Sequence, residues 1–226
     1  MKMSSSGFAP RRRQGGFIQG AILFALVIIA VVVAAFSLAN RDSTNNADNE
    51  QARVNASFVL KVGSDMQTGI NRAIADGFPT AGIPDRLLLD GTEADPEAGE
   101  LNLFDPTLRY VSRPQFPPTA LDDPTEQPFG DATGTGATVL FTSVAIDGVG
   151  QSDNDVVLEI PGLRQDVCRR INVSANNLLP TAAPLASAGV NGTREGCYAA
   201  NATDPGTYFR VVATDVGGTT APPPAP

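Results

Sequence analysis

One unbroken apolar run constrains this chain more than any other feature. Residues Phe17–Ala39 read FIQGAILFALVIIAVVVAAFSLA, with no charge and only Gln19 and Ser37 plainly polar. As a helix rising 1.5 Å per residue, the run is long enough to cross the roughly 30 Å hydrocarbon layer of a bilayer. Its flanks are unequal. Lys2, Arg11, Arg12 and Arg13 are the only charged side chains ahead of residue 41, and every acidic residue lies beyond the run. A basic flank stays in the cytoplasm, so the C-terminal body faces outward.

Three readings of this segment follow. A cleaved secretory signal is one, with Ser37-Leu38-Ala39 as a small-x-small cut site and Asn40 as the new terminus. The run exceeds the usual apolar core of about 7–15 residues in such signals. An uncut signal anchor is the second. The third rests on the string RRRQGG-F, in which a basic leader ends at Gly16 and Phe17 opens the apolar helix. That junction resembles the signal of type IV pilins and type II secretion pseudopilins. The resemblance implies cleavage between Gly16 and Phe17 by a prepilin peptidase and N-methylation of Phe17. It also implies retention of the apolar helix, first as an inner-membrane anchor and then as the core of a filament. It covers residues 11–40. Family members usually carry Glu at the fifth mature position, where this chain has Ala21. Certain minor pilins and pseudopilins also lack that Glu.

Charge and composition narrow the remaining functions. The formal net charge is −8. Removing residues 1–16 takes four cations and no anion, which makes it −12. An acidic body does not suit nucleic acid, whose phosphates require clustered Lys and Arg. The chain has no histidine. It therefore lacks the commonest general base, zinc ligand and partner of a Ser or Cys nucleophile. Ser57 and Lys61 stand one helical turn apart, a spacing better explained as helix-surface coincidence. The Gly-rich strings 130–136 and 148–150 match no phosphate-binding fingerprint. The acidic segments Asp90–Glu100 and Asp147–Asp155 lack EF-hand spacing and read as solvated turns. No enzyme and no cofactor are expected.

Past the apolar run, Asn40–Glu50 is polar with no apolar face. It reads as a solvated stretch of one long helix or a short break in it. Helical spacing returns from Asp48 to Ala75, with Val54, Phe58, Val62, Met66, Ile70 and Ala73 on one face. Gly77 is placed to end this helix at the C′ position, and Pro79 bars continuation. No Pro lies between Phe17 and Asp76, so any kink falls in the polar stretch or at Gly63 or Gly69.

Beyond Pro79 the chain turns to strands and loops. Arg86–Leu89 and Leu108–Val111 read as short strands, with loops at Asp90–Glu100 and Pro114–Gly136. Thr138–Ile146 and Asp155–Ile160 are the clearest strands, rich in β-branched residues and joined as an antiparallel hairpin. Leu163–Asn172 reads as a short helix carrying Cys168, Cys197 falls in a loop, and Tyr208–Thr214 is a last strand. Outside the cytoplasm two cysteines argue for a Cys168–Cys197 disulfide, with two free buried thiols as the alternative. Closing such a loop stabilises by about 3–4 kcal/mol on the chain-entropy estimate. In pilins a bond of this kind bounds a loop on the filament surface. Asn55, Asn172, Asn191 and Asn201 head N-x-S/T sequons.

The expected organisation is a cleaved leader (1–16), a transmembrane or filament-core helix (17–39), and a polar stretch with an amphipathic helix (40–77). A β-rich domain (78–216) and a tail (217–226) complete it. The fold class is α+β, a long helix packed on a mostly antiparallel sheet. The expected function is that of a pilin-like subunit, a bacterial cell-surface protein that polymerises with copies or relatives through the pilus assembly machinery. The alternatives are a minor pilin or pseudopilin of a secretion system, and an anchored or secreted β-rich binding module.

Overall fold

The computed structural model describes residues 47–80, 83–89, 99–131, 136–146, 148–149, 155–189, 192–201 and 203–214. The chain divides into two compact units, Met1–Asp48 and Asn49–Pro226, and the packing described below belongs to the second.

Helix α1 spans residues 47–75, so the end of the polar stretch is helical and the rest of it, 40–46, lies outside the described residues. Its buried stripe is Ala52, Ala56, Val59, Val62, Met66, Ile70 and Ala73. Every interval is three or four, which keeps the row on one side of a 3.6-residue helix. Val54 was expected on this face but is 62% exposed, and Phe58 is half-buried. Two steps of four residues rotate the row, leaving Val54 about 80° round the helix from Val62. The C-terminus is a Schellman motif. Phe78 N–H reaches Ala73 O at 2.9 Å, Gly77 N–H reaches Ile74 O at 3.0 Å, and Gly77 takes φ 105°.

Gly63 and Gly69 do not interrupt α1. Each marks a close approach. A Cβ at Gly63 would lie 1.8 Å from the Tyr208 hydroxyl, and one at Gly69 would lie 2.0 Å from a Val111 methyl. Only glycine lets the body come this near the helix axis.

The main sheet has four antiparallel strands: β3 (Leu140–Val144), β4 (Asp155–Leu163), β5 (Glu195–Tyr198) and β6 (Gly206–Ala213), in the order β3-β4-β6-β5. Alternation sorts their side chains between two clusters. Val156, Leu158, Ile160, Tyr208 and Val212 join the cluster that holds the α1 stripe from Ala56 to Ile70. Val157, Phe209 and Val211 pack on the other face with Ile146 and Val149. Helix α1 on an antiparallel sheet is the α+β arrangement expected from the sequence.

Several local expectations are corrected. The strand expected at Arg86–Leu89 is only β1 (Leu87–Leu88), preceded by a one-turn helix α2 (Ile83–Arg86) and paired in parallel with β2 (Leu101–Asn102). Leu108–Val111 is not a strand. The Asp105 carboxylate accepts the Thr107 N–H at 2.6 Å, Arg109 N–H reaches Asp105 O at 3.0 Å, and Arg109 sits at φ 55°. Local turn chemistry outcompetes β propensity there. The expected loop Pro114–Gly136 is irregular but far from idle. Phe116, Ala120, Leu121 and Phe129 are buried, and Phe116 lies edge-on to Phe58 at 5.3 Å and beside Phe129 at 6.0 Å. Arg113 covers the Phe104 ring at 4.4 Å and donates to the Leu89 and Phe129 carbonyls.

Candidate functional site

Gly16 and Phe17, the expected cleavage and methylation pair, lie outside the described residues, as does the whole apolar run. Among the described residues no helix is long and apolar enough to cross a membrane. The sequence-predicted feature that the structure builds is the cysteine pair.

Cys168 sits on helix α3 (Gln165–Asn176), which begins after Leu163 has ended β4, two residues later than expected. Asp166 lies in its first turn, where it favours the positive end of the helix dipole. Asn177 closes the helix in the left-handed conformation. Val167, Cys168 and Ile171 face inward and are fully buried. Cys197 was expected in a loop but occupies β5, the edge strand of the sheet. The two form a disulfide with Cα atoms 5.2 Å apart. Both cysteines are fully buried.

The bond is only half of the junction. The buried Asn172 side chain acts as a substitute strand. Its amide donates to Cys197 O at 2.7 Å, and its oxygen accepts the Cys197 N–H at 2.8 Å. Asn176 adds a bond to Glu195 O at 3.0 Å. An edge strand leaves backbone groups that seek partners, and here two side-chain amides and the Leu185 N–H satisfy them. Glycines make room: a Cβ at Gly206 would stand 2.8 Å from Cys168 Sγ, and one at Gly196 would crowd Asn172 and Asn176.

A second polar constellation joins α1 to the sheet. Tyr208 donates to Glu195 Oε1 at 2.5 Å, and Arg210 Nη1 donates to the same oxygen at 2.6 Å. Arg210 Nε donates to Gln67 Oε1 at 2.8 Å, and Gln67 Nε2 to Val211 O at 3.4 Å. Burial, then the Glu195 charge, holds the Tyr208 hydroxyl well above its ordinary range. Tyr198, beside Glu159, is pushed up to about 12 by burial and that carboxylate. The carboxylate of Glu195 already serves two donors beneath a helix, an arrangement suited to fastening rather than to proton transfer.

Other residues singled out in the sequence do not converge. Ser57 donates to Arg53 O at 3.0 Å while Lys61 pairs with Asp65 along the exposed face of α1. Asp155 was expected in a solvated turn; it is buried at the start of β4, and its Oδ2 accepts the Ile146 N–H at 3.3 Å. Among the described residues no group of three His, Cys, Asp or Glu side chains is placed to hold a metal ion. Two sequon asparagines, Asn55 and Asn172, are buried, while Asn201 is exposed and Asn191 lies outside the described residues. Sequence reasoning missed the Asn172 clamp and the Gln67–Arg210–Glu195–Tyr208 network. The spacing of Asn172 and Asn176, one turn and two turns past Cys168, was the available signal for the clamp. No known protein family matches the chain, and no characterised protein or solved structure does.

Proposed function

We propose that this protein is a pilin-like structural subunit. It is matured between Gly16 and Phe17 and held in the inner membrane by Phe17–Ala39. It then polymerises with copies or relatives into an extracellular filament. The observation that carries the reading is the order of parts in one chain. A basic leader, a Gly-Phe junction and a charge-free helix are followed by an amphipathic helix on an antiparallel sheet. A body whose described polar clusters fasten secondary structure to itself supports a scaffold role over an enzymatic one. Ala21 stands where the family usually carries Glu, so no carboxylate at that position sets subunit register. Lateral packing of apolar helices drives assembly, and an unpaired charge within the bundle is costly. Leu26→Asp and Val31→Asp are therefore expected to abolish filaments in sheared material examined by electron microscopy. Normal filaments from either variant would contradict the reading.

A further inference from the structure

The chain carries four N-x-S/T sequons, and the fold treats them differently. Asn55 is buried on α1, where its amide donates to Thr119 Oγ1 at 3.2 Å and its oxygen accepts from Gln51 at 3.1 Å. Asn172 is buried beneath β5, with both ends of its amide on the Cys197 backbone. Each of these side chains is committed inside the molecule, and a bulky group on either nitrogen has no room. Asn191 lies outside the described residues. Asn201 is the reverse case.

Asn201 stands in the turn that joins β5 to β6, where Ala200, Asn201, Thr203 and Pro205 are all exposed. The Asp204 N–H reaches Asn201 O at 3.3 Å and closes the turn. Gln165, the first residue of α3, fastens the turn from below by donating to Asn201 O at 3.1 Å and to Asp204 O at 2.7 Å. The backbone is therefore pinned while the side chains stay open to solvent. Asn201 Nδ2 donates one hydrogen to Asp204 Oδ2 at 2.7 Å. A side-chain amide nitrogen has two hydrogens, so substitution of the second leaves that bond in place. The Thr203 hydroxyl, two residues on, completes the acceptor signature, and a surface loop is the structural context such a signature requires.

We infer that Asn201 is a glycosylation site, modified by an oligosaccharyltransferase on the outer side of the membrane. The amide nitrogen attacks the anomeric carbon of a sugar carried on a lipid pyrophosphate. A carbon–nitrogen bond forms and the carbon–oxygen bond to the pyrophosphate breaks. The lipid pyrophosphate departs, and the amide gives up one proton to solvent. No oxidant or reductant is needed. All three readings of the N-terminal segment place the body outward, so the inference needs export but not polymerisation. The sugars would form a bulky, hydrophilic cover at the β5–β6 end of the sheet.

The test takes the full chain from the membranes and surface material of its own cells, reduces it and cuts it with trypsin. Cleavage after Arg194 and Arg210 releases residues 195–210, which contain the Asn201 sequon and no other. That peptide is expected to carry the added mass of whole sugar residues. The increment should vanish in Asn201→Gln and in Thr203→Ala and remain in Thr203→Ser, a pattern that a purely structural role in the turn would not produce. A peptide 195–210 of unmodified mass in the exported chain would overturn the inference. So would an increment that survives both Asn201→Gln and Thr203→Ala. The N-terminal peptide of the same digest keeps the two proposals apart. A start at Phe17 with bare Asn201 contradicts the glycan alone, and a start at Asn40 with modified Asn201 contradicts the filament reading alone.

Discussion

Helices α1 and α3 both lie against the sheet, yet they are held by different physics. α1 is long, and an apolar stripe from Ala52 to Ala73 fastens it, with polar stitches to the sheet at Gln67 and to Thr119 at Gln51 and Asn55. α3 is twelve residues long and buries few side chains, so it is fastened covalently and by amide clamps on β5. The lesson is that burial scales with length. A helix of eight turns secures itself by area, whereas one of three turns needs specific bonds.

The largest expected effect falls on the short helix. Cys168→Ser should lower the unfolding free energy of the full chain in detergent by about 2–5 kcal/mol, measured by denaturant titration. Asn172→Ala should follow, because it strands the buried Cys197 N–H at about 1–3 kcal/mol and leaves the Cys197 carbonyl only the Leu185 N–H at 3.3 Å. If the first change were silent and the second severe, the clamp rather than the covalent bond would be the fastening element. On the long helix, Gly63→Ala should cost about 1–3 kcal/mol, since its methyl overlaps the Tyr208 ring. The same change combined with Tyr208→Ala should recover part of that loss, which would locate the clash.

Much of this contrast was legible in the sequence, and the reasons for the rest are physical. The interior of α1, its Gly77 stop, the β3–β4 hairpin, β6 and the cysteine pairing all follow from periodicity, β-branched content or simple elimination. Val54 misled because a strict four-residue row drifts around the helix. Leu108–Val111 misled because Asp105 nucleates a turn that propensity does not register. Strand β5 was hidden because EGCY has almost no β-forming pattern of its own; it exists because β6 and Asn172 pair with it. The same holds for Gly63 and Gly69, whose need for glycine arises only when Tyr208 and Val111 arrive from distant sequence.

Two smaller effects involve Tyr208 and Val54. Tyr208 has a raised folded pKa, so its neutral form stabilises the fold below the unfolded value near 10. That contribution is lost as pH rises through the folded value. Stability should therefore decline in alkaline titration, and Tyr208→Phe should flatten the decline. A decline of unchanged steepness would place the responsible group elsewhere. Val54→Ala, on the exposed side of α1, should change stability by no more than about 0.5 kcal/mol. A larger loss in the isolated chain would mean that Val54 is covered.

Intact mass with N-terminal sequencing of sheared surface material decides whether the body is carried on a retained, matured N-terminal helix, as the pilin reading requires. The chain is then expected to begin at methylated Phe17 and to be found in fibres. A chain beginning at Asn40, or one retaining Met1 and confined to the membrane, would contradict it.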